Sequence, residues 1–322
     1  MNAGPKLAAY ALTLGVALGG GALVGNVVRP IAAADEDTDG NEHGDQPHGP
    51  GTSTADARPA GTTEDEDMPA GVLIAQDGYT LEAGTTTIAP GSPTSFGFRI
   101  VGPDGTAVED FLVSHERELH LILVGTDLAT YAHLHPTRSE DGTWTVGLPA
   151  LAAGVYRAYA DFAVTDGPEL TLGVDLTVAG ETTFAPLPEP AATTRVDGYD
   201  VTLAGAPSAG SATELTVTVD RAGEPVTDLE PYLGAFGHLV AIRGGDLAYL
   251  HVHPLGGEPA GGDRGGPGVA FSVDVPSPGD YRLFFDFQHA GKVRTAAFTV
   301  HVPAGDGTTG GRAGHGDSEG HG

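Results

Sequence analysis

The chain has 322 residues with a formal net charge of −28, and it contains no cysteine. The lack of cysteine excludes disulfides, thiolate metal sites and a catalytic thiol. The negative charge argues against nucleic acid and anionic membrane surfaces as partners, because both are polyanions, and it attracts cations. The 50 glycines and 24 prolines favour turn-rich β structure over helices.

The first 34 residues predict either a signal peptide or a transmembrane anchor. Residues 7–28 carry no charge and are long enough to cross a bilayer as a helix. The small residues before Asp35 fit a cleavage site instead. Residues 35–69 are acidic and almost free of large apolar side chains, so we expect a disordered linker. Both alternatives place the rest of the chain outside the cytoplasm, either anchored to the membrane by the N-terminal helix or secreted.

Residues 70–180 and 195–303 are two copies of one plan. Asp77-Gly-Tyr recurs as Asp197-Gly-Tyr, and Gly154-Val-Tyr-Arg recurs as Gly279-Asp-Tyr-Arg. Short alternating apolar runs between turn signals are typical of an antiparallel sandwich. We therefore predict an all-β fold with two tandem antiparallel Ig-like or cupredoxin-like β-sandwich domains. A proline-rich linker at 181–194 joins them, and a glycine- and histidine-containing tail at 304–322 is expected to be disordered.

Each copy contains one histidine motif, in which a histidine is followed thirteen residues later by His-x-His-Pro. The motif residues are His120, His133 and His135 in the first copy, and His238, His251 and His253 in the second. Two apolar runs around a short polar break predict a β-hairpin. Loops at 125–128 and 243–246 would set His120 opposite His133 and His238 opposite His251. Each hairpin would then present three imidazoles on one face.

Three clustered imidazoles are the ligands that divalent Cu, Zn or Ni prefers. The only methionines are Met1 and Met68, which excludes a methionine-rich Cu(I) site and, without cysteine, a blue-copper site. His115 and His289 are candidates for a fourth imidazole in the first and second domain. Asp161 and Asp286 are candidate carboxylate ligands, or acceptors for an imidazole N–H.

Two stretches also resemble a group of bacterial proteins. Val108-Glu-Asp-Phe-Leu-Val-Ser-His115, with His120 and the following His-Leu-His-Pro, resembles the first domain of actinobacterial-type secreted, membrane-tethered proteins associated with heavy metals. Tyr232-Leu-Gly-Ala-Phe-Gly-His238 resembles their second domain. The resemblance implies tandem Ig-like sandwiches, a role for His115, and copper as the metal, so Cu(II) is favoured over Zn(II) or Ni(II). Leu233, at the position matching His115, departs from the pattern.

We therefore expect an extracytoplasmic metal-binding protein rather than an enzyme, acting in sequestration or delivery, with an unidentified metal-handling protein as a further partner. One alternative is an Ig-like adhesion or interaction module without metal. Another is a cupin-like metal oxidase or dioxygenase, although the glutamate expected after His-x-His is missing. His115-Glu-Arg-Glu-Leu-His120 does not fit a zincin, whose histidines are four residues apart on a helix. The sequence leaves open whether the domains share one site.

Overall fold

The structure is a computed structural model that describes residues 68–250, 252–260 and 262–304. The predictions for residues 1–67, His251 and residues 305–322 lie outside the described residues. The strands are β1 (Ala75–Gln76), β2 (Tyr79–Ala83), β3 (Thr87–Ile88), β4 (Thr94–Val101), β5 (Leu119–Gly125), β6 (Tyr131–Leu134), β7 (Thr137–Arg138), β8 (Trp144–Leu148), β9 (Gly154–Ala163), β10 (Glu169–Val178), β11 (Thr193–Val196), β12 (Tyr199–Ala204), β13 (Ser211–Arg221), β14 (Glu224–Pro225), β15 (His238–Arg243), β16 (Tyr249–Leu250), β17 (Val252–Pro254), β18 (Gly268–Val275), β19 (Gly279–His289) and β20 (Lys292–Val302). In this described part, no helix is long and apolar enough to cross a membrane.

The first domain is a sandwich of two five-stranded sheets. One sheet has the order β1-β2-β4-β8-β7 and the other the order β3-β10-β9-β5-β6. Pairing is antiparallel apart from the short parallel pair of β3 with β10. Alternate side chains of β4 and β8, such as Phe96 and Trp144, point inward. They pack against inward residues of the other sheet, such as Leu121 and Leu172, in one hydrophobic core.

The second domain repeats this arrangement. One sheet has the order β11-β12-β13-β18-β17, with β14 added beside β13, and the other has the order β16-β15-β19-β20. Its core contains Tyr199, Phe271, Phe285 and Phe298, all at most 1% exposed. The prediction of an all-β chain with two repeated sandwich domains is confirmed.

A third apolar core joins the two domains. All seven residues of β5 are buried, although a sandwich strand needs only one buried face. Leu121 and Leu123 point into the core of the first domain. Ile122 and Val124 point the other way and pack with Val240, Ile242, Tyr249 and Phe284 among others. The sheet containing β5 and β9 is therefore covered by the sheet containing β15 and β19.

Contacts across this interface are reciprocal. Tyr131 stacks on Phe284 with ring centroids 4.2 Å apart, and Tyr249 lies against Tyr159 with centroids 5.5 Å apart. Tyr131 and Tyr249 are equivalent in the repeat, and so are Tyr159 and Phe284. Reciprocal pairing of equivalent residues is the property of a two-fold interface. An approximate two-fold axis thus relates the two domains.

The predicted hairpin register is wrong by two residues in both copies. Ile122, not His120, lies opposite His133, and Ile242 lies opposite Tyr249. The first turn is longer than expected and closes with a bond from Gly125 N to Thr130 O of 3.0 Å. Leu128 takes a φ of 57° inside this turn and packs into the interdomain core. A shift of two leaves every side chain on its predicted face, because side chains alternate with period two.

Candidate metal centre

Three histidines of the first domain converge at the interdomain face. His120 lies on β5, His133 on β6, and His135 directly after β6. Each offers one ring nitrogen, and these three nitrogens all lie within 4.8 Å of one another. We refer to these three residues as the histidine cluster. The strand pairing explains the convergence, since residues two apart on a strand share a face.

Hydrogen bonds fix the proton positions in two members of the histidine cluster. Nε2 of His120 donates to the Ser114 carbonyl at 3.0 Å, and Nδ1 of His133 donates to Oδ2 of Asp286 at 3.1 Å. A neutral imidazole carries one N–H, so the other nitrogen of each ring presents a lone pair. Those two nitrogens, His120 Nδ1 and His133 Nε2, face each other at 3.0 Å. This arrangement requires a cation between them, either a proton or a metal ion.

The surroundings disfavour a proton. Burial lowers the pKa of His120 to about 4, and the neighbouring His133 acts in the same direction. Burial also lowers the pKa of His135 to about 3, again reinforced by His133. Nε2 of His135 is buried and has no hydrogen-bond partner among the described residues. His120 and His135 are therefore neutral at neutral pH, which is the form of an imidazole that binds metals.

The spacing of these nitrogens fits a metal ion. Imidazole nitrogens bind zinc at about 2.0–2.1 Å, so three of them around one ion stand about 3.3–3.6 Å apart. The 3.0 Å separation of His120 Nδ1 and His133 Nε2 is close to that value. One ring nitrogen of His135 lies within 4.8 Å of the ligand nitrogens of the other two residues and completes a three-nitrogen set. Such a site supplies nitrogen ligands alone and leaves further coordination positions open.

Asp286 connects this set to the second domain. Its side chain is 2% exposed and accepts hydrogen bonds from Tyr131 Oη at 3.0 Å and Thr295 Oγ1 at 2.5 Å, besides that from His133. Burial and the adjacent Asp286 raise the pKa of Tyr131, which keeps the phenol a donor. Asp286 thus acts as the acceptor that orients His133, one of the two roles predicted for it. An acid of the second domain orients a ligand of the first.

The second domain reproduces half of this arrangement. Nε2 of His238 donates to the carbonyls of Tyr232 and Leu233 at 2.9 and 3.0 Å, as His120 does to Ser114. Burial lowers the pKa of His238 to about 4, with His115 contributing. Asp161 accepts a hydrogen bond from Thr171 Oγ1 at 2.8 Å, matching Thr295 on Asp286.

His253 is exposed on β17, which has left the β15 sheet to pair with β18. The chain therefore switches sheets within the second motif. His251, which precedes β17, is outside the described residues.

The two expected fourth imidazoles lie in different surroundings. His115 sits in the tight turn between Ser114 and Arg117 with a φ of 49°. Its ring centroid is 5.0 Å from His238 but 6.2 Å from His120, so it lies nearer the second domain's histidine than its own. Burial lowers its pKa.

His289 is not brought beside His238, contrary to the expectation that it would serve as the fourth imidazole of the second domain. It follows Asp286 by three residues on β19 and therefore points to the opposite face. There its two ring nitrogens contact Tyr199 Oη at 2.6 Å and Asp228 Oδ1 at 3.0 Å.

A cavity of about 340 Å³ opens onto these groups. Its lining includes His115, His120, His133, His238 and His253 from both domains. Leu112 and Val113 lie at the same cavity and are 50% and 68% exposed. The cavity gives small ions a path from solvent to histidines of both motifs.

Sequence reasoning missed Tyr131, Thr295 and the Ser114 carbonyl. Tyr131 had a signal, because it lies two residues before His133 on the same strand face and recurs as Tyr249 before His251. Thr295 had a weaker signal, because a threonine pairs with the aspartate in both copies: Thr171 with Asp161, and Thr295 with Asp286. The Ser114 carbonyl had none, because backbone acceptors leave no trace in residue identity.

The sequence matches one family over two stretches, residues 74–180 and 194–304. That family is described as Domain of unknown function (DUF8832). The two matches cover more than half of the chain and fall on the two sandwiches. The chain belongs to this family. Two copies of the family's domain account for the internal repeat. No curated protein matches the chain.

Several solved structures are similar to the chain at low identity. FdeC, an Escherichia coli adhesin, is 17% identical over 71% of this chain and 65% of that chain, with a TM-score of 0.24. The Yersinia pseudotuberculosis adhesin InvE is 14% identical over 70% of this chain and 59% of that chain, with a TM-score of 0.21. A DUF4426 family protein from Pseudomonas aeruginosa PAO1 is 11% identical over 35% of this chain and 94% of that chain, with a TM-score of 0.26. The chain thus spans less than two thirds of either adhesin, and TM-scores this low carry no inference.

Proposed function

We propose that the chain is an extracytoplasmic protein that binds a divalent transition metal, with Cu(II) favoured, for sequestration or delivery. The observation that carries this proposal is the pair of facing lone pairs on His120 and His133, 3.0 Å apart. Nε2 of His135, buried without a partner in the described part of the chain, points to the same conclusion. One ion satisfies all three nitrogens at once.

The donor set supports copper. The histidine cluster offers imidazole nitrogens only, and the chain has no cysteine to favour zinc or Cu(I). For a given nitrogen site, affinity rises along the first-row series to Cu(II) and falls again at Zn(II). The formal net charge of −28 adds a long-range attraction for any cation. Zn(II) and Ni(II) are the competing occupants.

Binding also couples the two domains. His133 reaches the metal through Nε2 while its Nδ1–H is held by Asp286 of the second domain. A carboxylate behind a histidine ligand fixes the ring tautomer and raises its basicity. The ion is therefore held most tightly when the domains are docked. This coupling suits a protein that retains its metal while folded and passes it on when a partner loosens the interface.

The test is copper content in the full chain with His43, His48, His315 and His321 replaced by alanine, so that histidines near the termini do not contribute. After dialysis against Cu(II), Zn(II) and Ni(II), we expect copper to be retained in preference to the other two. The double variant His133→Ala/His135→Ala is expected to lose the ion held by the histidine cluster. The control His289→Ala/His301→Ala removes as many imidazoles from outside the cluster and should lose none. Equal metal content in both variants would refute the site.

A further inference from the structure

We propose that a second divalent ion binds across the domain interface, held by His238 of the second domain and His115 of the first, with His253 as a third ligand. We refer to His115 and His238 as the interdomain pair. The inference rests on the proposed function, because it extends the same metal chemistry to a second position. It assigns His115 to the opposite domain from the one that its place in the sequence suggests.

The interdomain pair has the spacing of a ligand pair. Its ring centroids lie 5.0 Å apart, the same separation as His133 and His135 in the histidine cluster. The His120 and His135 rings, also within the cluster, are 5.3 Å apart. Rings at this separation can each turn one nitrogen toward a common ion.

In each member of the interdomain pair, one ring nitrogen makes a hydrogen bond within its own domain, and the other ring nitrogen is the candidate ligand atom. Nε2 of His238 donates to two backbone carbonyls, which leaves a lone pair on Nδ1. Nδ1 of His115 contacts its neighbour Ser114 Oγ at 3.2 Å, which leaves Nε2 for a ligand. Nε2 of His120 likewise donates to a backbone carbonyl, and Nδ1 of His120 faces His133 in the histidine cluster.

His253 lies on the solvent side of this position. It lines the cavity of about 340 Å³ together with the interdomain pair. It also lines a neighbouring cavity of about 400 Å³ together with His115. Because His253 is exposed, it can bind an ion arriving from solvent before the buried His238 does. Tyr232, whose carbonyl holds His238, also has its ring 6.3 Å from the His135 ring, so the two positions are adjacent.

The two ions have unequal surroundings. The turn that carries His115 recurs in the second domain, where Leu233 has a φ of 53° at the equivalent position. The histidine cluster therefore receives no imidazole from the second domain's turn, whereas His238 receives one from the first. The first ion has ligands from one domain, and the second has ligands from both. The second ion depends directly on domain docking.

His115→Leu is the matched variant, because leucine already occupies the equivalent turn in the second domain. In the full chain with the four terminal histidines replaced, we expect two Cu(II) per wild-type chain and one per His115→Leu chain. Two Cu(II) ions this close couple magnetically, so the EPR spectrum should show coupling in wild type and an isolated Cu(II) signal in the variant. His115→Gln, which keeps a polar side chain, should give the same loss.

The outcomes separate the two proposals. Two ions retained by both His115 variants would overturn the assignment of His115. One ion in wild type that disappears in His133→Ala/His135→Ala would overturn the second ion while supporting the histidine cluster. No ion in wild type would overturn both proposals.

Discussion

The two copies of the histidine motif share a framework around the first histidine, and they differ at the turn before it and in the sheet that carries the last histidine. His120 and His238 lie in the first two residues of equivalent strands, and each donates through Nε2 to the carbonyl of the residue six positions earlier. The turn between that carbonyl and the histidine has a positive φ at the same two positions in both copies, but the first of these positions is His115 in one copy and Leu233 in the other. A difference of one side chain changes the number of imidazoles at each position. The backbone of the turn thus fixes the position from which a side chain can reach a metal ion. The residue at that position determines whether the side chain is an imidazole.

The first test of this comparison is acid stability, which should give the largest effect. The unfolded chain binds protons at His120 and His238 from about pH 6.5 downward, whereas the folded chain does so only near pH 4. Stability of the metal-free protein should therefore be highest above pH 6.5 and fall by several kcal/mol toward pH 4. Urea unfolding with a chelator present, at a series of pH values, measures this.

His120→Gln and His238→Gln each keep a donor for the carbonyl but cannot be protonated. We expect each to shift the acid transition to lower pH by a similar amount. Unequal shifts would show that the two frameworks are not equivalent.

The interdomain core gives the next largest effect. Phe284 is 2% exposed and stacks on Tyr131, so Phe284→Ala should cost about 3–5 kcal/mol of unfolding free energy. Val293→Ala, at a position 37% exposed, should change stability by less than about 0.5 kcal/mol. Denaturant unfolding followed by circular dichroism compares the two variants. A small effect of Phe284→Ala would contradict a packed interface.

Metal loading should stabilise the chain. A ligand at 100 times its Kd that binds only the folded state adds about 2.7 kcal/mol. Thermal unfolding with and without Cu(II) should show this increase in wild type, and a chelator should reverse it. The His133→Ala/His135→Ala variant should lose the part of the increase that comes from the histidine cluster. An undiminished increase in that variant would place the metal elsewhere.

The smallest predicted effect separates Asp286, which orients His133, from its counterpart Asp161 in the other domain. Asp286→Asn removes the charge behind His133 and should weaken the ion at the histidine cluster roughly 10–100-fold. Asp161→Asn, the matched change in the other domain, should leave that ion unaffected. Calorimetric titration with Cu(II) gives both affinities. Equal losses would mean that Asp286 acts through general electrostatics and not through its 3.1 Å bond to His133.

Much of the fold was predictable from the sequence, because alternation and repetition are local signals. The period of two placed His120, His133 and His135 on one strand face, and this held even though the register was wrong. The register depended on Leu128, an apolar residue that belongs to the turn because it packs against the other domain. Its left-handed φ of 57° accompanies that long-range contact. The sequence of the hairpin alone does not reveal this contact with the other domain.

The docking of the domains was the part that the sequence interpretation missed. The stretch from Leu119 to Val124 is apolar on both faces apart from His120, which indicates a strand covered on both sides. That signal predicts a covering surface but not which surface covers it. Placing His115 beside His238 requires the full three-dimensional arrangement, because the two residues lie in different domains.

The approximate two-fold contact between the domains has a consequence for how tightly they associate. Two separate molecules with this interface would depend on their concentration to stay paired. Here the segment between β10 and β11 ties the halves together, and a short linker sets an effective concentration in the millimolar range. A modest interface therefore suffices, and equivalent residues are free to differ, since a change in one half is not copied into the other. The chain therefore resembles a heterodimer whose two partners are held at a fixed effective concentration.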